Sequence, residues 1–388
     1  MITFSFSGQT YQTGRIIGNL DGSKTGPALM FFGAIHGNEP SGVVALQEVF
    51  AELESNQVQI AGQLLGVVGN LSALAENKRY TAVDLNRIWT RELLQDETKN
   101  CGTRDVEYHE QQELYQLIRP MLQSNRDAYF LDLHTTSSHS APFIAINDQL
   151  NNRSFALKIP VPTVLGIEEF LEGPLLSFLN DFGHVALAFE AGQHDDPESV
   201  QTHKSFVYRA MVAAGLITEQ QLSELETVHH EHQVRLEHLG RVNRGFFEVV
   251  YKRTITGEDV FSMYPGFQNL TAIKKGEVLA KDRAGDIHAP MSGRIFMPLY
   301  QSSGNDGFFV VKKVPSWALG LSRLLRNVNF DSVLTWLPGV SRHQSYPESL
   351  LVNKKVARFL AKQVFHLLGY RRKKQDGNVM IFSRREIS

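Results

Sequence analysis

His36 and Glu39 stand three residues apart, where an apolar run passes into a stretch with helical periodicity. Zinc in hydrolases is commonly held by two histidines and one carboxylate, with a fourth position left to water. A histidine and a glutamate at this spacing across a strand–helix junction can converge on one ion, and the helix N-terminus favours the ionised carboxylate. The pair therefore predicts two of three metal ligands, and the third must come from another part of the chain.

His134 is the candidate third ligand, because it also follows an apolar run, Ala128–Leu133. In α/β sheets, sites gather outside the carboxyl ends of the strands, so His36 and His134 could face one crevice. Asp132 lies on the same face of the strand and could orient the imidazole of His134. A single histidine is more often a satisfied core residue, but its combination with Glu39 favours a metal site.

Glu190 ends a further apolar run, Val185–Phe189. A carboxylate at that place could take a proton from water and pass it to a leaving amine. The alternatives are an ordinary exposed glutamate at a strand end, or a proton-transfer role for other residues nearby. Those other residues are His184, His194, Glu168 and Glu169.

Arg79, Asn86 and Arg87 lie in a loop after the apolar run Gln63–Gly69. Functional residues concentrate in such loops. An arginine can bind a carboxylate through two parallel hydrogen bonds, and an asparagine adds a donor. A second arginine could polarise a scissile carbonyl and stabilise the oxyanion. The alternative is that these are surface residues without a role in chemistry.

An α/β scaffold is needed to bring these loops together. Apolar, strand-like runs alternate along the first two-thirds of the chain with stretches of helical periodicity, which predicts a mostly parallel or mixed sheet flanked by helices. The strand-like runs cover residues 27–35, 63–69, 128–133, 142–146 and 185–189, and the helical stretches cover 39–54, 108–123 and 199–214.

The pattern changes after residue 240 to short apolar pieces separated by turn residues, which predicts a small all-β domain, barrel-sandwich-like, over residues 241–313. We therefore expect a catalytic domain over residues 1–225, a linker over 226–240, and a C-terminal extension over 314–388. Helices are predicted in the extension over Trp317–Val328 and Leu350–Leu368.

Composition argues against several other classes of protein. The chain has 388 residues with 39 Lys plus Arg and 41 Asp plus Glu, so it lacks the basic footprint of a nucleic-acid-binding protein. Its single cysteine, Cys101, allows no intramolecular disulfide and fits a reducing cytoplasm. No long apolar run predicts a membrane span. The sequence leaves a homo-oligomer open.

Five motifs that carry these residues occur in order along the first domain. Together they resemble the succinylglutamate desuccinylase and aspartoacylase family, a branch of the zinc carboxypeptidase-like hydrolases. The resemblance implies one Zn²⁺ per chain held by His36, Glu39 and His134, with Glu190 as general base and acid. It also implies that Arg79 polarises the carbonyl and that Asn86 and Arg87 clamp a substrate carboxylate. The motifs are HGNE (36–39), RY (79–80), DLNR (84–87), DLHTT (132–136) and FEAG (189–192).

The resemblance implies a zinc-dependent amidohydrolase that removes the acyl group from a small N-acyl amino acid with a free carboxylate. Aspartoacylases carry a further arginine shortly upstream of the base, for a second carboxylate. Residues 168–189 contain neither arginine nor lysine, which argues against N-acetylaspartate as the substrate. Two alternatives stay open: a metallocarboxypeptidase that cleaves a peptide or cell-wall fragment in an open groove, and a non-catalytic binding protein on a hydrolase scaffold.

Overall fold

The structure of the chain is a computed structural model. It describes residues 1–22, 24–90, 93–94, 106–124, 126–226, 232–240, 243–301, 304–328, 334–336, 338–343, 349–353, 365–376 and 379–384. Cys101 and part of the predicted linker lie outside the described residues.

The described residues form twenty strands and nine α-helices. The strands are β1 Ile2–Phe6, β2 Gln9–Thr13, β3 Ile16–Asp21, β4 Lys24–Gly33, β5 Ala61–Val68, β6 Ala128–Thr136, β7 Phe143–Ile146, β8 Thr163–Leu165, β9 Val185–Gln193, β10 Phe246–Thr254, β11 Ser262–Met263, β12 Ala272–Ile273, β13 Val278–Asp282, β14 Gly285–His288, β15 Gly293–Phe296, β16 Asp306–Lys313, β17 Val340–Arg342, β18 Ser349–Asn353, β19 Tyr370–Asp376 and β20 Val379–Arg384. The helices are α1 Ser41–Ser55, α2 Leu71–Ala75, α3 Val106–Leu122, α4 Leu150–Ala156, α5 Leu175–Asn180, α6 Glu198–Ala214, α7 Glu219–Glu226, α8 His232–Gly240 and α9 Ser316–Asn327.

The core of the molecule is a mixed sheet of eleven strands in the order β12-β15-β16-β10-β8-β7-β9-β6-β4-β5-β3. Strands β5, β4, β6 and β9 run parallel to one another, so their carboxyl ends meet at one edge. This parallel group is flanked by two antiparallel strands, β3 beside β5 and β7 beside β9. This architecture confirms the predicted α/β class with a mostly parallel or mixed sheet.

Both faces of the central sheet are covered by helices, which explains why its strands are apolar at nearly every position. Side chains of β4 alternate between two apolar clusters. Leu29 and Phe31 pack with residues of α1 and α6, whereas Met30 and Phe32 pack on the other face with residues of α3 and α5. The two layers hold the carboxyl edge of the sheet rigidly, and the predicted site residues gather at that edge.

The main sheet continues into the region predicted as a small β domain. Strand β10 pairs in parallel with β8, where Phe246 lies opposite Thr163, and in antiparallel with β16. Strands β11, β13 and β14 form a separate three-stranded sheet over a cluster that includes Leu279 and Ile295. The region therefore shares hydrogen bonds with the main sheet.

The C-terminal extension contains α9 and a four-stranded antiparallel sheet in the order β17-β18-β20-β19. The helix predicted over Trp317–Val328 is confirmed by α9. The helix predicted over Leu350–Leu368 is wrong at its beginning, because Ser349–Asn353 is a strand. Leu350 is buried opposite Phe382 of β20, a partner thirty-two positions away that local periodicity does not indicate.

Within the described ranges, no helix combines the length and apolarity needed to cross a membrane.

Candidate active site

The turn between β4 and α1 carries the first two predicted ligands. Gly37 lies so close to the backbone of α2 that a Cβ atom there would stand 2.1 Å from the carbonyl carbon of Ala73. Only glycine fits this approach, and the Gly37 amide donates a hydrogen bond to the Arg79 carbonyl at 3.2 Å. The glycine therefore anchors the turn between His36 and Glu39 against the loop that carries Arg79.

His36, Glu39 and His134 converge at the carboxyl edge of the sheet. The Nδ1 atom of His36 lies 3.0 Å from Oε1 of Glu39, and the Nδ1 atom of His134 lies 3.0 Å from Oε2 of the same carboxylate. One ligand atom from each residue lies within 4.8 Å of the others, and all three residues are buried. Burial alone would raise the pKa of Glu39, but the two imidazoles outweigh it and hold this pKa well below its usual value.

Each histidine also faces a second carboxylate through its other nitrogen. Oδ2 of Asp132 lies 2.7 Å from Nε2 of His134, as the sequence predicted for an orienting carboxylate. Oδ1 of Asp84 lies 3.2 Å from Nε2 of His36. Sequence reasoning gave Asp84 no role, although it begins the DLNR motif. A proton on Nε2 of His134, donated to Asp132, leaves Nδ1 of this ring available as a metal ligand, whereas Nε2 of His36 also lies 2.9 Å from Nη2 of Arg79.

The donor set suits zinc. Two imidazole nitrogens and one carboxylate oxygen match the composition of catalytic zinc sites, which leave a coordination position open. The aspartates orient the rings so that both Nδ1 atoms face Glu39. The residues present therefore fit a divalent cation of this type.

Arg79 lies beside this cluster. Its Nη2 atom donates a hydrogen bond to Oδ2 of Asp84 at 3.1 Å, and its Nη1 atom is 3.7 Å from Oε1 of Glu39. The side chain is mostly buried and lines the cavity in front of the cluster. A guanidinium held there by an aspartate can meet negative charge that develops next to the ligands.

Glu190 on β9 pairs with His134 in the register of the parallel strands. Burial raises the pKa of Glu190 to about 8, the charges of Glu39 and Asp132 add to this effect, and the positive charges of His134 and Arg79 oppose it. In the described part of the chain its Oε2 atom has no hydrogen-bond partner. Glu190 is thus a buried carboxyl that lines the cavity, and one of its oxygens has no partner among the described residues.

A cavity of about 510 Å³ opens in front of these residues, within the ordinary range for a small-molecule site. Asn86 and Arg87 line it. The side-chain oxygen of Asn86 accepts a hydrogen bond from the Leu175 amide at 2.9 Å, which turns its NH₂ group away from that contact. Arg87 donates to the Asn86 carbonyl at 2.8 Å and has about a third of its side chain exposed.

Lys252 and Asp306 are cavity residues that sequence reasoning missed. They come from β10 and β16, whose patterns indicated strands but no site. Lys252 Nζ lies 2.5 Å from Oδ1 of Asp306 and donates to the Phe170 carbonyl at 2.8 Å. Arg87 Nη2 lies 3.7 Å from Oδ2 of the same aspartate. The group of two cations and one anion carries a net single positive charge.

Apolar side chains form much of the remaining wall. They come from the segment after β8, from α5, and from the region predicted as a small β domain. These residues are Ile167, Phe170, Leu171, Leu176, Met297, Leu299 and Phe309. Among the alternative residues, His194 and Glu168 also line the cavity, and His194 bonds to Thr135 and Gln301.

The chain is similar in sequence to several known proteins. Residues 25–203 match the family model described as the succinylglutamate desuccinylase/aspartoacylase catalytic domain. A succinylglutamate desuccinylase of Photorhabdus laumondii is 29% identical over 131 residues, which are 33% of this chain and 39% of that protein. A probable aspartoacylase of Acaryochloris marina is 24% identical over 277 residues, which are 70% of this chain and 80% of that protein.

Solved structures show the same fold. The product-bound ectoine utilization protein EutE from Ruegeria pomeroyi superposes with a TM-score of 0.55 at 19% identity, over 76% of this chain and 88% of that one. A succinylglutamate desuccinylase/aspartoacylase from Rhodobacter sphaeroides gives 0.53 at 16% identity, over 77% and 88%. The resemblance that the five motifs indicated is confirmed.

Proposed function

Because residues 25–203 of this chain match the succinylglutamate desuccinylase/aspartoacylase catalytic domain, we propose that the protein is a zinc-dependent amidohydrolase. Its substrate is a small N-acyl amino acid with a free carboxylate. The observation that carries the proposal is the convergence of His36, Glu39 and His134 at a cavity that also contains Glu190 and Arg79. No single motif supports the proposed function as strongly as this convergence does.

His36, Glu39 and His134 are the residues that would hold one zinc ion. When bound, such an ion supplies Lewis acidity and lowers the pKa of water to roughly 7. Asp132 and Asp84 keep the two imidazole rings in position through their Nε2 atoms. The side-chain atoms that would bind zinc are thus oriented towards one another at the carboxyl edge of the sheet.

Glu190 moves the proton in this mechanism. Its carboxylate, which lines the cavity, accepts a proton from the attacking water and then donates it to the nitrogen of the departing amine. Burial holds the carboxyl protonated at neutral pH in the metal-free protein, since its pKa is about 8. A cation at the neighbouring ligands favours the ionised carboxylate, which is the form a base requires.

Arg79 stabilises the negative charge that develops on the amide oxygen, and Arg87 with the Asn86 NH₂ group binds the substrate carboxylate. Asp84 holds Arg79 at the ligand cluster, so its charge needs no rearrangement during the reaction. Arg87 lies beyond hydrogen-bond distance of Asp306, and its donors can therefore turn to a ligand.

The charges and the apolar wall favour a substrate with one carboxylate and an apolar side chain or acyl group. Asp306 neutralises Lys252, so only one positive charge of the group formed by Arg87, Lys252 and Asp306 is left for the substrate. A dicarboxylate would leave its second charge against apolar side chains. Unpaired charge in such surroundings is strongly disfavoured.

The contribution of the region predicted as a small β domain to the cavity wall favours a deacylase over a carboxypeptidase, which would need an open groove for the rest of its substrate. Met297, Leu299 and Phe309 of that region line the cavity. A location in the reducing cytoplasm stays a prediction. Assembly into a homo-oligomer stays open as well.

The test is a panel of N-acetyl and N-acyl amino acids beside C-terminal dipeptides, assayed with zinc-loaded protein. We expect turnover of acyl amino acids with one carboxylate and an apolar side chain, and much slower turnover of N-acetylaspartate. Faster cleavage of the dipeptides would establish the carboxypeptidase. Absence of hydrolysis across the panel, with one zinc per chain bound, would favour a binding protein.

A further inference from the structure

A buried cluster of charged residues joins the C-terminal extension to the catalytic domain. Asp148 follows β7, is fully buried, and lies 2.5 Å from Nε of Arg153 and 2.8 Å from Nη2 of Arg326. Nη2 of Arg371, from β19, donates to Asp148 at 2.5 Å. Two of the three arginines that neutralise this aspartate therefore come from the extension.

Arg371 also reaches the segment that follows β8. Its Nη1 atom donates to Oε1 of Glu248 at 2.5 Å and lies 3.5 Å from Oε1 of Glu169. His366 lies beside it, with Nδ1 hydrogen-bonded to Glu248 and Nε2 2.7 Å from Oε1 of Glu169. A Cβ atom on Gly166 would meet the Arg371 guanidinium at 3.5 Å, so the backbone itself lies against this side chain.

Residues 166–172, which we call the pocket-wall turn, form one side of the substrate cavity. Ile167, Phe170 and Leu171 face the cavity, whereas Glu169 faces the extension and is nearly fully buried. Glu168 is tied to the same charged cluster, because its Oε1 atom accepts a hydrogen bond from the Asp148 amide at 3.2 Å. On the side towards the extension, charged groups therefore hold the turn in place. On the side towards the cavity, the turn presents the apolar side chains of Ile167, Phe170 and Leu171.

We propose that Arg371, assisted by His366, is a positioning residue that holds the pocket-wall turn in place, so that the C-terminal extension shapes the substrate cavity. The family match ends at residue 203 and gives the extension no role. Asp148 and Glu169 have buried side chains, Glu248 has a side chain about a quarter exposed, and all three share one guanidinium. Buried charges keep their geometry only while they stay paired, so loss of this guanidinium releases the turn. The expected effect of this turn on substrate binding rests on the proposed function.

Two variants test the proposal. Glu169→Gln keeps the volume of the side chain and removes the charge that Arg371 and His366 hold, and Arg371→Met removes the guanidinium. The matched control is Val352→Ala, which removes buried methyl groups from the apolar core of the extension and leaves the charged cluster intact. Hydrogen–deuterium exchange reports the stability of the turn without reference to catalysis.

We expect amides of residues 166–172 to exchange at least about tenfold faster in Glu169→Gln and Arg371→Met, with those of β6 unchanged. For hydrolysis we expect KM to rise about tenfold while kcat stays within about threefold, with one zinc per chain retained. Val352→Ala should lower the midpoint of thermal unfolding but leave both the exchange of the turn and KM near wild type.

Unchanged exchange of the turn in Glu169→Gln would overturn the proposal, even if Arg371→Met did not fold. Faster exchange with an unaltered KM would also overturn it, because the turn would then be loosened without any effect on the cavity. If wild-type protein hydrolyses nothing in the panel, the proposed function fails, and the exchange measurement alone still decides whether Arg371 holds the turn.

Discussion

Glu39 lies between two imidazoles, and each imidazole lies between Glu39 and an aspartate. Because carboxylates and rings alternate in this way, each of the four ring nitrogens lies beside a carboxylate oxygen. The pKa of His134 is raised well above its usual value, because the charges of Asp132 and Glu39 outweigh the effect of burial. Replacement of any member should therefore affect metal binding before it affects the fold.

His134→Ala should lose zinc, whereas Asp132→Asn should weaken zinc binding by about 10- to 100-fold, as is typical when an orienting carboxylate is removed. The measurement is zinc per chain by elemental analysis after dialysis, with a competing chelator for the affinity. His184→Ala is the control, because His184 lies at the opposite end of β9 and should keep one zinc. Full zinc content in His134→Ala would contradict the assignment of the ligands.

Glu190→Gln should lower kcat more than Arg79→Ala, for which we expect a loss of about 10²- to 10³-fold. The amide keeps the size of Glu190 but cannot transfer the proton, and zinc content should stay at one per chain. Steady-state kinetics of both purified variants measure the two losses. Normal turnover by Glu190→Gln would rule out its role as the base.

At the scale of strands and helices, the site residues that close apolar runs could be predicted from the sequence. His36, His134 and Glu190 each follow such a run, and adjacent parallel strands bring their carboxyl ends together. Lys252 and Asp306 could not be predicted, because they lie within strands whose pairing spans more than fifty residues. The strand at Ser349–Asn353 was missed in part for the same reason, since β20 is a distant partner, although its other partner, β17, is near along the chain.

Lys252→Met should raise KM about tenfold for a substrate with one carboxylate, because Asp306 would then pair with Arg87 and compete with the substrate. The double variant Lys252→Met/Asp306→Asn removes that competitor and should return KM to near the wild-type value. The comparison of KM across the single and double variants is the measurement. Equal KM in the two variants would show that Asp306 does not restrain Arg87.

At the scale of the whole molecule, the extension and the catalytic domain share buried charges, so they should unfold together near neutral pH. Burial alone would raise the pKa of Glu248, but the hydrogen bond from His366 and the charge of Arg371 outweigh it and lower this pKa to about 2. A carboxylate with a depressed folded-state pKa stabilises the fold above its unfolded-state pKa. That stabilisation is lost as the pH falls from about 4.5 towards about 2.

Wild-type protein should therefore lose more free energy of unfolding between pH 7 and pH 3 than Glu248→Gln, by roughly 2 kcal/mol. At pH 7 the wild type should be the more stable of the two, and the difference should shrink in acid. Urea unfolding of both proteins at the two pH values measures this. A difference that does not change with pH would show that Glu248 is not held as a carboxylate by the extension.

The parallel pairing of β8 with β10 has a consequence for how this protein could be divided. Strand β8 has only three residues and lies between β7 and β10. A fragment that ends before Phe246 would expose the backbone of Thr163–Leu165 as a new sheet edge, which is a template for aggregation. The regions on either side of residue 240 therefore form one unit of recombination, and a crossover between them succeeds only if it preserves the register of that strand pair.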